Sequence, residues 1–221
     1  AGRPDLSNTQ FALDALKDAG VKSDDPAFQN AIKFISRCQN NSETNQQPWA
    51  GNDGGFVYGP SDDRQGESMA GVTQQDGKRG LRSMGTMSYA GLKSLVYAGL
   101  EKNDPRVKAV WQWVNHNFSV EENVGMSAQG EDKKQNALYY GYMSMGRALA
   151  AYGEPILKSA DGKTTDWRVA LIDHAAATQK PDGSWVGAKS FMEDNPILAT
   201  SYMVLALQEA QRDLKTHPVK Q

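Results

Sequence analysis

The sequence lacks the features that mark several common classes of protein. Its 221 residues contain one cysteine, Cys38, which excludes an internal disulfide and a metal site made of cysteines alone. No apolar run is long enough to span a bilayer, and no signal peptide opens the chain. The formal net charge is −2, with 24 basic and 26 acidic residues. Without a basic excess, we expect neither nucleic-acid binding nor a polybasic membrane anchor.

The composition is that of an ordinary soluble protein, with 39% hydrophobic and 23% charged residues. That length allows one sizeable core or two small ones. Because Ala1-Gly2-Arg3 is not a natural start, we expect that the native N-terminus has been removed. The compartment therefore stays open, secretion included.

An internal repeat is the strongest signal in the chain. A shift of 79 residues superimposes an apolar stretch, an Ala-Gly pair and an Asp-Pro pair on a second copy: Leu13, Leu16, Ala19-Gly20 and Asp25-Pro26 on Leu92, Leu95, Ala98-Gly99 and Asp104-Pro105. The glycines predict left-handed residues that end one helix, and each Asp-Pro pair predicts an N-cap and first residue of the next. The repeat therefore predicts antiparallel helical hairpins.

The predicted fold is all-α, with about seven main helices. The hairpins are expected at residues 8–39, 86–118 and 137–179, followed by a final helix at 196–212. In the third hairpin a longer connection, residues 155–165, precedes Asp166, the predicted N-cap of the second helix. A polar, glycine-rich loop at residues 40–83 interrupts the pattern, and such long loops are usually functional or mobile.

Two short motifs in this pattern resemble the QW repeat of squalene cyclases and protein prenyltransferases. Gln179, Gly183 and Trp185 stand in the order of the cyclase motif. Gln39, followed after an insertion by Gly55 and Phe56, is similar to the prenyltransferase form. With the hairpin pattern, the resemblance extends to nearly the whole chain and points to a bacterial branch with prenyltransferase/squalene oxidase repeats.

The resemblance implies an α/α-toroid, in which the first helix of each hairpin lines the inside of a ring and the second forms the outer wall. In that family the motif glutamine bonds backbone at a helix end, and the aromatic residue packs against the neighbouring hairpin. The six motif residues are therefore expected to be structural. Too few hairpins are present to close a toroid. The resemblance thus implies one domain over residues 1–221, a C-terminal part of a longer chain, whose open faces meet the missing N-terminal hairpins or a partner protein.

The residues that carry the chemistry of these families are mostly replaced. Class II cyclases protonate an alkene with the central aspartate of Asp-x-Asp-Asp, which stands before an inner helix. The corresponding segment here is Pro-Asp-Leu-Ser-Asn-Thr at residues 4–9, with Asp5 at the first acidic position and Ser7 at that of the donor. A serine hydroxyl cannot protonate an alkene, so the match argues against cyclization. Asp5 stays a candidate catalytic residue, with a cap or turn residue as the other interpretation.

The zinc site of prenyltransferases is not matched either. That site needs Asp-x-Cys and a distant histidine, but Ser36 stands two residues before Cys38, and the three histidines are scattered. We therefore predict no metal and no cofactor. A sugar-active toroid would need acidic side chains, for which the sequence offers Asp62-Asp63, Glu67 and Glu193-Asp194 in loops. Glu67 is the second predicted catalytic residue, and a solvated loop is its plainer interpretation.

Aromatic residues on the predicted inner helices suit an isoprenoid or another hydrophobic ligand, although core packing is the plainer interpretation of each residue taken alone. The predicted ligand-binding residues are Tyr58, Arg82, Tyr89, Tyr139, Tyr140, Tyr142 and Tyr202. The first hypothesis is a cyclase-like domain without the proton donor, which binds such a ligand or a partner protein. The alternatives are a prenyltransferase, cyclase or sugar-active enzyme on the same scaffold, and a structural repeat module.

Overall fold

The computed structural model describes residues 4–60, 68–75 and 77–218. Within these residues the chain is mostly helical, and the predicted class and number of main helices are confirmed. The helices are α1 (Leu6–Asp18), α2 (Pro26–Ser36), α3 (Gly85–Tyr97), α4 (Pro105–Asn117), α5 (Leu138–Tyr152), α6 (Trp167–Thr178) and α7 (Pro196–Thr216). Two antiparallel strand pairs accompany them: β1 (Val72–Gln75) with β2 (Lys78–Leu81), and β3 (Ile156–Lys158) with β4 (Thr164–Asp166).

The helix bounds differ from the expected ones at a few places. Helix α1 begins at Leu6 rather than residue 8, because Asp5 is its N-cap. Helix α7 continues to Thr216, past the expected end at residue 212. The two strand pairs were not predicted, since strands of three or four residues are too short to show a period of two. One pair lies in the long loop, and the other in the connection within the third hairpin.

The start and stop signals of the repeat act as predicted. The Asp25 carboxylate accepts a hydrogen bond from the backbone N–H of Ala27 at 2.8 Å, and Asp166 does the same for Arg168 at 3.0 Å. Gly20 and Gly99, with φ of 75° and 82°, occupy the left-handed conformation after α1 and α3. The chain therefore turns at the positions where the repeat predicts that it should.

Cα packing divides the chain into two compact units, residues 1–114 and 115–221. In the first unit α1 packs against α3, and α2 packs against both. Fully buried apolar side chains fill the space between them, among them Phe28, Ile35, Leu92 and Leu95. The two first helices of the repeat are therefore direct neighbours.

In the second unit α7 packs against both α5 and α6. Helices α5 and α7 approach closely at Gly146, where a Cβ atom would lie 3.1 Å from the carbonyl oxygen of Ala206. The buried Arg168 guanidinium on α6 pairs with Asp166 at 2.6 Å and with Asp213 of α7 at 2.8 Å. In the described part of the chain, no helix is both long enough and apolar enough to cross a membrane.

Candidate functional site

The first motif ties the long loop to the helices of the first unit. The fully buried Gln39 donates through Nε2 to the carbonyl oxygens of Gly54 at 3.0 Å and Arg106 at 2.8 Å, the latter in the first turn of α4. The backbone at Gly55 runs too close to its surroundings for a side chain, since a Cβ there would lie 2.5 Å from that of Ser83. Phe56 packs on α3, where a Cβ at Gly91 would lie 2.6 Å from its ring.

In the second motif the glutamine makes a local hydrogen bond instead of a long-range one. The exposed Gln179 donates to the carbonyl oxygen of Gly183 at 3.0 Å, within its own turn. The long-range contacts come from the buried Trp185, whose indole N–H donates to the carbonyl oxygen of Ala175 at 2.9 Å. Its backbone N–H donates to the Thr200 hydroxyl at 3.0 Å. Trp185 therefore joins α6 to α7, while Gln179 closes a turn.

Of the two predicted catalytic residues, the structure describes Asp5. Both carboxylate oxygens of Asp5 accept hydrogen bonds from Asn8, one from its backbone N–H at 2.8 Å and one from its amide at 2.7 Å. The structure thus uses Asp5 to cap α1. Glu67, together with Asp62 and Asp63, lies outside the described residues.

Cys38 lies in a setting that suppresses thiolate chemistry. Its side chain is fully buried, with Sγ 3.5 Å from the carbonyl oxygen of Phe34, and burial raises the pKa of the thiol far above its usual value. The residues that the structure describes contain no group of three or more histidine, cysteine, aspartate or glutamate side chains that would hold a metal ion.

Three of the predicted ligand-binding residues lie in the first unit. Tyr58 accepts a backbone hydrogen bond from Leu6 at 2.9 Å, which fastens the long loop to the start of α1. Tyr89 on α3 is buried, and burial raises the pKa of its hydroxyl above the usual range. Arg82 follows β2, and its backbone N–H donates to Gly71 at 3.0 Å.

The other four form two aromatic pairs near the N-terminal ends of α5 and α7. The rings of Tyr139 and Tyr142 meet edge to face with centroids 5.4 Å apart. Tyr140 of α5 and Tyr202 of α7 meet in the same way at 6.1 Å. These four tyrosines are the predicted ligand-binding residues that the structure brings together.

Glu193 is the buried acidic residue beside these four tyrosines. Its fully buried carboxylate reaches the start of α5, where Oε1 accepts a hydrogen bond from the backbone N–H of Tyr140 at 2.9 Å. No described donor completes a hydrogen bond to Oε2 by distance and angle, although the N–H groups of Leu138 and Tyr139 lie near the carboxylate. Burial raises the pKa of Glu193 to about 7, against the opposing effect of the N–H groups of Leu138, Tyr139 and Tyr140. At neutral pH the carboxyl is therefore divided between its two protonation states.

The sequence offered Glu193 only as one of several loop acids. Asp194, its exposed neighbour, lies in the same stretch of sequence. The amide that binds Glu193 lies 53 residues away in the chain. No local signal distinguishes the two. A cluster of aromatic residues at the predicted start of α5 is the one feature that would have directed attention to a buried partner.

The loop that carries Glu193, residues 187–195, has an unusual backbone. Phe191 and Met192 have φ of 61° and 60°, and Ala137, directly before α5, has φ of 57°. They are the three non-glycine residues with positive φ in the described part of the chain. Such positions cost on the order of 1–3 kcal/mol each and often occur at functional sites. The side chains of Phe191 and Met192 are nevertheless 47% and 71% exposed.

Gly187 closes this loop over the tyrosines. Its backbone N–H donates to the carbonyl oxygen of Glu193 at 2.7 Å. A Cβ at Gly187 would lie 2.8 Å from the ring of Tyr139 and 2.9 Å from the Cβ of Glu193. Only glycine allows the backbone to pass so near, and the carboxylate is thereby held in place.

A short hydrogen-bonded chain adjoins the site. The Tyr142 hydroxyl lies 2.6 Å from the carbonyl oxygen of Val120 and 2.9 Å from Nε2 of His174, whose Nδ1 lies 3.1 Å from the Glu121 carboxylate. Burial raises the pKa of the Tyr142 hydroxyl far above its usual value, so Tyr142 is a neutral phenol. These hydrogen bonds hold the Tyr142 side chain in its position against Tyr139.

Comparisons with models of protein families, with curated proteins and with solved structures each find no match. The residues and geometry of this chain are therefore the basis for its proposed function.

Proposed function

We propose that this chain is a helical-hairpin domain of the α/α-toroid repeat type that binds a hydrophobic ligand with a hydrogen-bond donor, such as an isoprenoid alcohol. The observation that carries the proposal is the buried Oε2 of Glu193, which no described donor satisfies, beside four tyrosines. A buried acceptor without a partner costs free energy, and a ligand hydroxyl would supply the missing donor.

Exposed apolar side chains close to Glu193 in the sequence offer a surface for the apolar part of such a ligand. Phe191 and Met192 precede Glu193 directly, and their side chains are largely exposed. Ile197, in the first turn of α7, is 77% exposed. Burial of apolar surface contributes roughly 25 cal/mol per Å², so these side chains favour an aliphatic ligand over a fully polar one.

The toroid-type assignment is part of the proposal and is supported by two observations. The offset of 79 residues predicts equivalent helices, and α1 and α3 are packed neighbours. Gln39 bonds backbone at the start of α4, and Phe56 packs on α3, as the family's motif requires.

Binding is favoured over alkene protonation for a chemical reason. Asp5 caps α1, and Ser7 stands where the cyclase acid would be. Glu193, with a pKa of about 7, is too weak an acid to protonate an alkene carbon at a useful rate. A carboxyl of that pKa is suited to hydrogen bonding with a hydroxyl in either of its protonation states.

The test compares farnesol with farnesene, which has a similar chain and no hydroxyl, by native mass spectrometry and thermal shift. Glu193→Gln is the informative variant, because its Oε1 still accepts from α5 while an N–H₂ donor replaces Oε2. Glu101→Gln removes an exposed glutamate of the first unit and is the matched control. We expect farnesol to bind the wild-type chain and the control about tenfold more tightly than farnesene, and Glu193→Gln to lose that preference. Equal binding of the two compounds, or an unchanged Glu193→Gln, would contradict the proposal.

One observation favours a second candidate, an enzyme that acts on a sugar. A carboxyl with a pKa of about 7 is matched to general acid–base catalysis at an oxygen atom. Burial alone raises this pKa, against the α5 amides and with no second described carboxylate contributing, whereas most glycoside hydrolases need a pair. Release of reducing ends from a panel of polysaccharides, abolished in Glu193→Gln and kept in Glu101→Gln, would favour this candidate over binding alone.

A further inference from the structure

A pocket of about 200 Å³ lies in the first unit, where the loop after α2 meets strand β2. Its lining includes Ser42, Trp49, Asn52 and Lys78. Pockets for drug-sized ligands measure about 300–1,000 Å³, so this one has room for a small molecule and not for an extended chain. It therefore differs in size from the site needed for an isoprenoid.

The frame of the pocket is fixed by asparagine side chains. The fully buried Asn40 donates to the carbonyl oxygen of Leu81, at the end of β2, at 2.8 Å and accepts from the backbone N–H of Gly51 at 2.9 Å. The backbone N–H and hydroxyl of Ser42 both donate to Oδ1 of Asn52, at 2.9 and 2.7 Å. Because these bonds hold the loop against the strand, a ligand finds the pocket already formed, which lowers the cost of binding.

The strand turns Lys78 toward the same pocket. A Cβ at Gly80 would lie 3.5 Å from the carbonyl oxygen of Trp49, so that face of β2 is directed at the loop. Residues two apart in a strand share a face, which places the Lys78 side chain beside Gly80 on the pocket side. The Lys78 side chain is exposed and so accessible to a ligand.

Lys78 and Asn52 offer side-chain donors at this pocket. The oxygen of the Asn52 side chain is already used by Ser42, which leaves its N–H₂ group for a ligand. None of the described residues that line the pocket is acidic. A lysine charge and an amide donor, with no acidic side chain among the described lining residues, favour a ligand that is anionic and rich in acceptors.

We propose that this pocket binds the oxyanion group of a small metabolite, a phosphate or carboxylate on a body about the size of one sugar ring. Lys78 supplies the charge, and the amide of Asn52 supplies directed donors. Trp49 and Pro48 form the less polar side that takes the body of the ligand. The site lies apart from Glu193 in the chain, and the inference is independent of the function proposed above.

Isothermal titration calorimetry of the full chain tests the proposal with glucose 6-phosphate, glucuronate, inorganic phosphate and uncharged glucose. We expect binding of at least one of the sugar anions, no heat with glucose, and weaker binding at higher salt. Lys78→Gln is expected to weaken binding about tenfold, the effect of one charge-assisted hydrogen bond. Lys108→Gln removes an exposed lysine from α4 in the same unit and should leave the affinity unchanged.

The four ligands also separate the sources of the anion. Preference for glucose 6-phosphate assigns the pocket to phosphoryl groups, and preference for glucuronate assigns it to carboxylates. Three results would overturn the proposal: no heat with either sugar anion, equal binding of glucose, or equal weakening by Lys108→Gln and Lys78→Gln. Circular dichroism and thermal unfolding of both variants verify that the fold is unchanged.

Discussion

Lys93 and Asp14 form a buried ion pair that joins α3 to α1, with both carboxylate oxygens 2.7 Å from the lysine Nζ. The residues are 79 positions apart, which is the offset of the repeat, so they occupy the same position in its two copies. Lys93 is fully buried, and Asp14 is 6% exposed. One repeat position therefore carries opposite charges in two neighbouring helices, and each charge is neutralised by its counterpart.

Removal of one member of this pair should be far more harmful than removal of both. Lys93→Met leaves the Asp14 carboxylate buried without its partner, and we expect the free energy of unfolding to fall by about 3–5 kcal/mol. The double variant Lys93→Met with Asp14→Leu should regain most of that loss, because neither charge of the pair is then buried. Guanidinium unfolding at pH 7 measures both. A double variant as unstable as the single one would show that the site tolerates no apolar pair.

The sequence predicted the order of the helices and not this pair. Capping residues and glycines are local signals, and they placed the turns after α1 and α3 correctly. A charged residue in an amphipathic helix usually indicates a solvent-facing position, so Asp14 and Lys93 gave no sign of burial. Their pairing becomes evident only when the two copies of the repeat are set side by side as packed neighbours.

The candidate site, too, could be predicted only in part from the sequence. The four tyrosines could be predicted as a group, since aromatic residues recur on the first helices of the later hairpins. Glu193 could not be singled out, because its burial depends on a loop that closes over α5 through Gly187. The two QW-like motifs also look equivalent in sequence, and the contacts of Gln39 and Gln179 are very different.

That difference yields a stability prediction. Gln39→Ala removes two buried hydrogen bonds to the Gly54 and Arg106 carbonyls and should lower the free energy of unfolding by about 2 kcal/mol. Gln179→Ala removes one exposed bond within a turn and should change it by less than about 0.5 kcal/mol. Urea unfolding of the two variants in parallel provides the measurement. Similar losses in both would mean that the two motif glutamines contribute equally to stability despite their different surroundings.

Glu193 should make stability depend on pH. Its pKa is about 7 in the folded chain and near the ordinary 4.5 when unfolded, so between these values the folded state holds a proton that the unfolded state releases. Its contribution is complete below about pH 4.5 and is lost as the pH rises through 7. At about 1.4 kcal/mol per unit of pKa, the loss amounts to about 3 kcal/mol.

Denaturant unfolding of wild type and Glu193→Gln at pH 5 and at pH 7.5 measures this contribution. Other groups titrate over the same range, so the informative quantity is the difference between the two proteins at each pH. We expect wild type to lose stability relative to Glu193→Gln as the pH rises, and Glu101→Gln to follow wild type. A difference that stays constant with pH would mean that the carboxyl of Glu193 titrates normally.

The exposed Met192 provides a test of strain in the loop that holds Glu193. Its φ of 60° disfavours any residue with a Cβ, so Met192→Gly should relieve the backbone and leave the protein as stable as wild type, or up to about 1 kcal/mol more stable. Asp194→Gly is the control, because Asp194 is exposed in the same loop and is not among the residues with positive φ. There glycine only adds freedom to the unfolded chain and should cost about 0.5–1 kcal/mol.

The same variant separates stability from binding. If Phe191 and Met192 form the apolar surface of the site, Met192→Gly should weaken farnesol binding even as thermal unfolding shows an unchanged or higher midpoint. Gain of stability with loss of affinity is the behaviour expected where a strained backbone serves a ligand. Met192→Gly that loses as much stability as Asp194→Gly would show that the loop is unstrained. Unaltered farnesol affinity would exclude Met192 from the binding surface.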